Sequence, residues 1–530
     1  MNLRPVPVLA VSMLTLLGVF ALGVSGPSGI TPTGVDAVVR APVVPSAGGV
    51  VCPTGADTAE PDANLLLLAA PEDGTDVAVR GIVLPLGVDG DRQFVGPTPA
   101  GGFERRDILL EDTGWLWVGW ADRALAAWQE RRTIGAPGQP RGVIASACLP
   151  ADASVQTVLG LRTDEGFEAL LRLANPFDVD ATFAVTFVTT DGTFEPIALR
   201  NVSVSAGRRL TVRLNDHVPE EVDVAAIVTV GAGRLAVEGL QRSVAAVNGI
   251  EGIAAVAPVT EPSVIWTFPW LPVGPDVEGS VWLLNPHDRP VVVALTLHTP
   301  QGASLPDEES VEVGPGAVLR LDTADLVSDG SRSVGLTLRS ETAGILAGAS
   351  GMFFAEGGER TGLVNVAGAR SPDPEWAVAG AVLAERDTAL HVVNLDEVEA
   401  VPRVTLTTLH REGVPAPEGD DASDDDQAPV QTSREVTRTT VIEGRPLAPG
   451  ETIRIPLPVS DAVAFSAVVD GGRGLVVSRT TFGRDLLEPV VVAATPSFAW
   501  RIVGNPLDGQ ARSGWVATLG PTGGGLLPAG

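Results

Sequence analysis

Hydrophobic positions along this 530-residue chain fall into short runs of Val, Leu, Ile and Thr, interrupted every few residues by Gly or Pro. Alternating stretches such as Ala184-Val185-Thr186-Phe187-Val188 have the period of half-buried strands, and the Gly and Pro between them mark turns. The pattern predicts an all-β protein. One stretch departs from it: Val8 to Val24 is close to continuous apolar over 17 residues, between a signal-peptide core and the roughly 20 residues that span a bilayer. Ala21, Gly23 and Ser25 would permit cleavage, whereas Arg4 and the lack of further charge before Asp36 suit an uncleaved anchor with Arg4 inside. Either way, residues 1–30 predict an apolar signal or anchor helix that exports the remainder. Residues 31–50, rich in Pro and Gly, read as a linker.

Internal similarity orders the rest. Leu171-Arg172-Leu173-Ala174-Asn175-Pro176 recurs as Val281-Trp282-Leu283-Leu284-Asn285-Pro286 and as His391-Val392-Val393-Asn394-Leu395, with offsets of 110 and 109 residues between the Asn positions. Glycines follow in the same order within each copy: Gly192, Gly302 and Gly413 at a turn, Gly207, Gly316 and Gly450 before a strand, Gly233, Gly344 and Gly474 before the last run. Asn can hold its own backbone in a turn and Pro ends a ladder, so Asn-Pro is strand punctuation. A degenerate copy precedes these, with Ala70 in place of the Asn, Gly114 before Trp115, and Gly142 before the last run. A Pro, a short gap and a Trp link the copies, at Trp266, Trp376 and, in the tail, Trp500.

About seven strands in about 110 residues is the size of an immunoglobulin-like sandwich. The expected architecture is therefore tandem immunoglobulin-like β-sandwich repeats at 51–150, 151–258, 259–370 and 371–494, then a partial strand and tail at 495–530. The alternative is a β-propeller of paired blades, closed by the Trp500 strand joining the first repeat.

The segments Leu171 to Pro176 and Val281 to Pro286, with the opening Val50-Val51-Cys52-Pro53, resemble an uncharacterised actinobacterial family of secreted or signal-anchored envelope proteins with Leu-x-Leu-x-Asn-Pro repeats. The resemblance covers most of the chain after about residue 50. It implies an envelope location and, because genes of that family often lie near envelope glycan-assembly enzymes, a pathway; it implies no activity. Asn394-Leu395 in place of Asn-Pro departs from the pattern.

Charge narrows the partners. A net charge of −29 argues against nucleic acid and anionic lipid, which need a positive face, and leaves membrane contact to the N-terminal segment alone. The chain has no lysine and no tyrosine, which excludes Schiff-base, P-loop and Ser-x-x-Lys chemistry. No Gly-x-Ser-x-Gly or His-Glu-x-x-His occurs either, so no catalytic residue, metal site or cofactor is assigned and an enzyme is not expected.

Cys52 and Cys148, the two cysteines of an exported chain, predict a disulfide clipping the ends of the first repeat together. His298 and His410 occupy the same slot in successive copies and read as strand-end residues. The acidic run from Glu418 to Asp426 lies in an insertion near 414–438; it lacks the EF-hand register and reads as a solvated loop.

Trp115, Trp117, Trp120 and Trp128 cluster in the first copy. Its landmark Gly114, matched to Gly207, places Trp117 toward the core and Trp120 outward. Trp115 and Trp120 are the candidate glycan or partner contacts, since an exposed indole stacks on a sugar face. The expectation is a non-catalytic exported envelope scaffold for a protein or cell-surface polysaccharide; the alternative is a carbohydrate-binding accessory of glycan assembly.

Overall fold

Each Asn that closes a Leu-rich strand ties three stretches of backbone together. Asn175 Oδ1 accepts from the Phe177 N–H, while its Nδ2 donates to Val179 O and Val204 O. Asn285 does the same with His287, Arg289 and Val313, and Asn394 with Asp396, Val398 and Leu447. All three are fully buried, so each amide must be satisfied internally, and the residue type follows from that. Gly207, Gly316 and Gly450, with φ of 65°, 60° and 77°, turn the chain into the next strand at a conformation that favours glycine.

The structure is a computed structural model whose described residues lie between Gly48 and Ala499, most continuously over 141–243, 252–327, 334–354, 362–381, 386–413 and 433–485. The apolar segment Val8 to Val24, the acidic residues 418–426 and Trp500 lie outside them. The described residues form one compact unit. The fold is all-β, and its described strands make eight antiparallel sheets of four or five strands, none closed into a barrel. No described helix is long and apolar enough to cross a membrane.

The sheets come in pairs with one topology. In the second pair, the inner sheet runs Arg209–Arg213, Phe167–Ala174, Ala236–Ser243, Gly252–Val256, and the outer sheet Gly192–Phe194, Ala181–Thr189, Val224–Ala232, Val155–Leu161. Phe183, Val185 and Phe187 alternate with half-buried Thr182, Ala184 and Thr186, and meet Leu171, Leu173 and Val237 of the inner sheet to form the core. The other three pairs repeat this order.

The four inner sheets end on neighbouring strands. Arg141–Ala147 lies beside Gly252–Val256, which lies beside Gly362–Val366, then Glu488–Pro496, which returns to Arg141–Ala147. The pairs thus close on themselves around a common axis. Glycine permits the approach: a Cβ on Gly252 would lie 2.6 Å from the Leu363 backbone nitrogen. Ile144, Leu170, Leu240 and Ile253 fill one contact between pairs, and Phe167, Ala254, Met352 and Leu363 the next.

Two expectations change here. Closure runs through Glu488–Pro496, while the adjoining Phe498–Ala499 adds to Trp376–Ala377 within the fourth pair instead of reaching the first. The segment near 414–438 that reads as an insertion also runs into a strand at its end, because Ser433–Glu443 is paired along all of Arg403–Gly413.

Candidate functional site

Cys52 and Cys148 form a disulfide, beside reciprocal 2.8 Å hydrogen bonds between the Val51 and Leu149 backbones. It clips the first strand of the first sheet pair to the segment leaving the axis.

Trp115 and Trp120 are 1% and 3% exposed, so neither indole presents a face to a sugar. The strand Trp115–Trp120 is interior to its sheet, between Gly48–Pro53 and Val77–Leu84. It corresponds to Val224–Ala232; the counterpart of Arg209–Arg213 is Phe103–Asp107, so the match of Gly114 to Gly207 is displaced in this degenerate copy. The faces reverse accordingly. Trp120 packs in the first pair's own core, and Trp115 and Trp117 pack against Ala174, Phe177 and Ala236 of the second pair.

At that junction lies buried charge. Glu238 accepts from Arg131 Nη2 at 2.6 Å and from Arg172 Nη1 at 2.8 Å, and the Arg172 guanidinium stands 5.3 Å from the Trp115 ring centroid. Where the circle closes, Arg479 Nη2 of the fourth pair donates to Glu130 Oε1 of the first at 2.6 Å. None of these five side chains is more than 1% exposed, so each ion pair operates with little screening and cannot lose one partner cheaply. No motif flagged them. The available signal was a charge inside an otherwise apolar strand, as in Leu171-Arg172-Leu173.

The junction of the second and third pairs is built differently. Trp282 seats against Gly160, whose φ of +75° and lack of Cβ leave the space, and its Nε1 donates to Ser350 Oγ at 2.9 Å. Above it opens a narrow cleft lined by Phe167, Trp282, Met352 and Leu363. Arg162 and Arg320 both reach Glu278 Oε1 at the rim, at 3.2 and 3.3 Å, and hold Asp164 and Asp322 respectively. Burial works against the charge on Arg162, but Asp164 and Glu278 outweigh it and raise its pKa. Asp223 is pushed up by burial against the opposing pull of Arg320 and Arg162.

The histidines stay apart. His391 Nε2 bonds Thr480 Oγ1 at 2.9 Å and its imidazole packs, tilted by 38°, against Trp270 of the third pair, 5.8 Å between centroids. Burial drives its pKa down to about 3, with Arg454 adding to the effect. His298 crosses to the fourth pair, its Nδ1 3.1 Å from Gly450 O, whereas His410 stays within its own pair, bonded to Asp461 O and Thr408. Equivalent slots therefore serve different neighbours. Among the described residues no group of three His, Cys, Asp or Glu side chains is arranged to hold a metal ion.

Residues 120–269, the end of the first sheet pair, all of the second and the first strand of the third, match the profile of a family of unknown function (DUF5719). No curated protein matches the chain.

Proposed function

We propose that this chain is a non-catalytic exported scaffold of the cell envelope, with four immunoglobulin-like sandwich units closed around an axis and their outer edges and loops offered to an envelope protein or cell-surface polysaccharide. The observation that carries the reading is the use of buried chemistry. Arg131, Arg172 and Glu238 join the first two sheet pairs, and Arg479 and Glu130 join the last to the first. Groups so committed hold sheet pairs in fixed relation, which is what a platform requires and what a reaction centre would have to give up. Two features support export: the apolar run Val8 to Val24, and a disulfide, which persists in oxidising compartments.

The test is affinity capture from envelope extract with the full tagged chain, read for proteins and for glycans, beside fractionation of the cells and the mass of the mature N-terminus. Enrichment of a defined partner in the envelope fraction supports the reading. Recovery of the chain from the cytoplasm, or capture of neither class, overturns it.

A further inference from the structure

The four outer sheets end on equivalent outer edges, and three of these are blunted. In the first pair the edge is Gln93–Thr98, which carries Pro97. In the second it is split into Gly192–Phe194 and Val202–Val204 around Pro196, and in the third into Gly302–Ser304 and Ser310–Val313 around Pro306. The fourth is Ser433–Glu443, eleven residues without a proline, paired unbroken from Ser433 opposite Gly413 to Glu443 opposite Arg403. No described strand pairs with its other side.

An unpaired edge of that length presents a row of N–H and C=O groups at every second residue, a template for another strand. Short edge strands and prolines are how sheets prevent such addition. This chain uses both at the same position three times and neither at the fourth. From Glu435 to Glu443 every residue is half-buried or exposed, including Val441 at 46%. The side chains beside the edge are already balanced, Arg438 with Glu412 and Arg411 with Glu435.

Charge says what fits. The chain carries −29 overall, and six residues separate the acidic run Glu418 to Asp426 from the start of this strand in sequence. A second copy brings the same charge and is repelled at low ionic strength, whereas an uncharged or basic segment is not. We propose that the free edge of Ser433–Glu443 is the docking edge for an extended, neutral-to-basic polypeptide segment of another protein, which adds to the fourth outer sheet as a strand. This deepens the scaffold reading by giving it an attachment point, yet strand addition itself does not depend on where the protein resides.

The experiment uses the full chain and fluorescence anisotropy with three labelled peptides of the strand's own length: alternating Val and Thr with interspersed Lys, the same with Glu, and the Lys peptide N-methylated at two adjacent central residues. The Lys peptide should bind about tenfold more tightly than the Glu peptide at low salt, with the gap closing at high salt. N-methylation should weaken it about tenfold or more, since it removes ladder hydrogen bonds while leaving the protein untouched.

Successive residues point their N–H groups to opposite sides. Of Thr439→Pro and Thr440→Pro, one should therefore weaken peptide binding about tenfold with the melting temperature unchanged, and the other should lower the melting temperature by detaching the strand from its partner. Absent binding of the Lys peptide, or equal binding of the methylated one, overturns the proposal. So does self-association of the full chain that either proline abolishes, because the edge then belongs to a second copy. Failure here alongside successful envelope capture refutes the edge alone; binding here with nothing captured refutes the scaffold reading alone.

Discussion

Gly380→Ala is expected to break the junction that closes the circle of sheet pairs. Gly380 lies opposite Phe465 in the strand Trp376–Ala381, and a Cβ there would fall 1.4 Å from Arg479 Nη1 and 2.7 Å from Phe465 Cε1. The guanidinium has to move, and it is fully buried with Glu130 as its partner across 349 residues of sequence. Displacing it leaves Glu130, 1% exposed, without that partner. Removing one member of a buried ion pair costs about 3–5 kcal/mol.

The shift in melting temperature then reports cooperativity. If a single repeat of about 110 residues unfolds alone, its entropy of about 0.23 kcal/mol/K turns a loss of about 4 kcal/mol into a drop of about 17 °C. If the roughly 450 residues from Gly48 to Ala499 melt together, the same loss lowers the midpoint by only about 4 °C. Far-ultraviolet circular dichroism and tryptophan fluorescence, followed in one thermal ramp, separate the two cases. In a Glu130→Met/Arg479→Met background the alanine should cost about 1 kcal/mol, because a shorter apolar side chain vacates the space and no charge is stranded. A melting temperature unchanged by Gly380→Ala in the wild-type background would refute the closure argument.

Loss of the disulfide in Cys52→Ser should lower stability by about 4–5 kcal/mol in the chain-entropy account, given its separation of 96 residues, and matched denaturant curves with and without reductant would measure it. Gly160→Ala should cost about 1–3 kcal/mol and alter indole fluorescence, because its Cβ would sit 2.6 Å from Trp282 Nε1 at a φ of +75°. His391 sets an acid-side slope: its pKa falls from 6.5 to about 3 on folding, so only the unfolded chain takes up the proton between those values. Its contribution is intact above pH 6.5 and is lost toward pH 3 at about 1.4 kcal/mol per pH unit, so His391→Gln should lose about 2 kcal/mol less than wild type between pH 7 and pH 5. Urea midpoints for both proteins at the two pH values check the sign.

The all-β class and the copies were legible because their signals are local. Period-2 alternation, Asn at a buried turn and glycine at positive φ are each dictated within a few residues. Cys52 and Cys148 were legible by elimination, being the chain's only cysteines. The Trp cluster was not, since outwardness had to be inferred from a copy without its Asn, and a landmark glycine matched to the wrong strand reverses both faces of Trp115–Trp120. His298 and His410 share a slot by sequence, yet their partners come from segments that no local pattern relates.

That last failure has a physical basis at the junctions. Leu67, Arg172, Trp282 and His391 occupy one position in four copies of one inner strand, each opposite a cross-strand neighbour: Trp128, Glu238, Gly348 and Ser478. Each faces a different adjoining pair. Leu67 and Trp128 cluster with Ala377, Ala379 and Ala381, Arg172 lies over Trp115, Trp282 fills the notch at Gly160, and His391 packs against Trp270. Exchanging any two would bury an unpaired charge or drive an indole into a filled space, penalties of several kcal/mol. Four backbones that could associate in any order are thereby held to one. The residues that enforce the order diverge between copies because they must, so the positions hardest to align are those that join the sheet pairs.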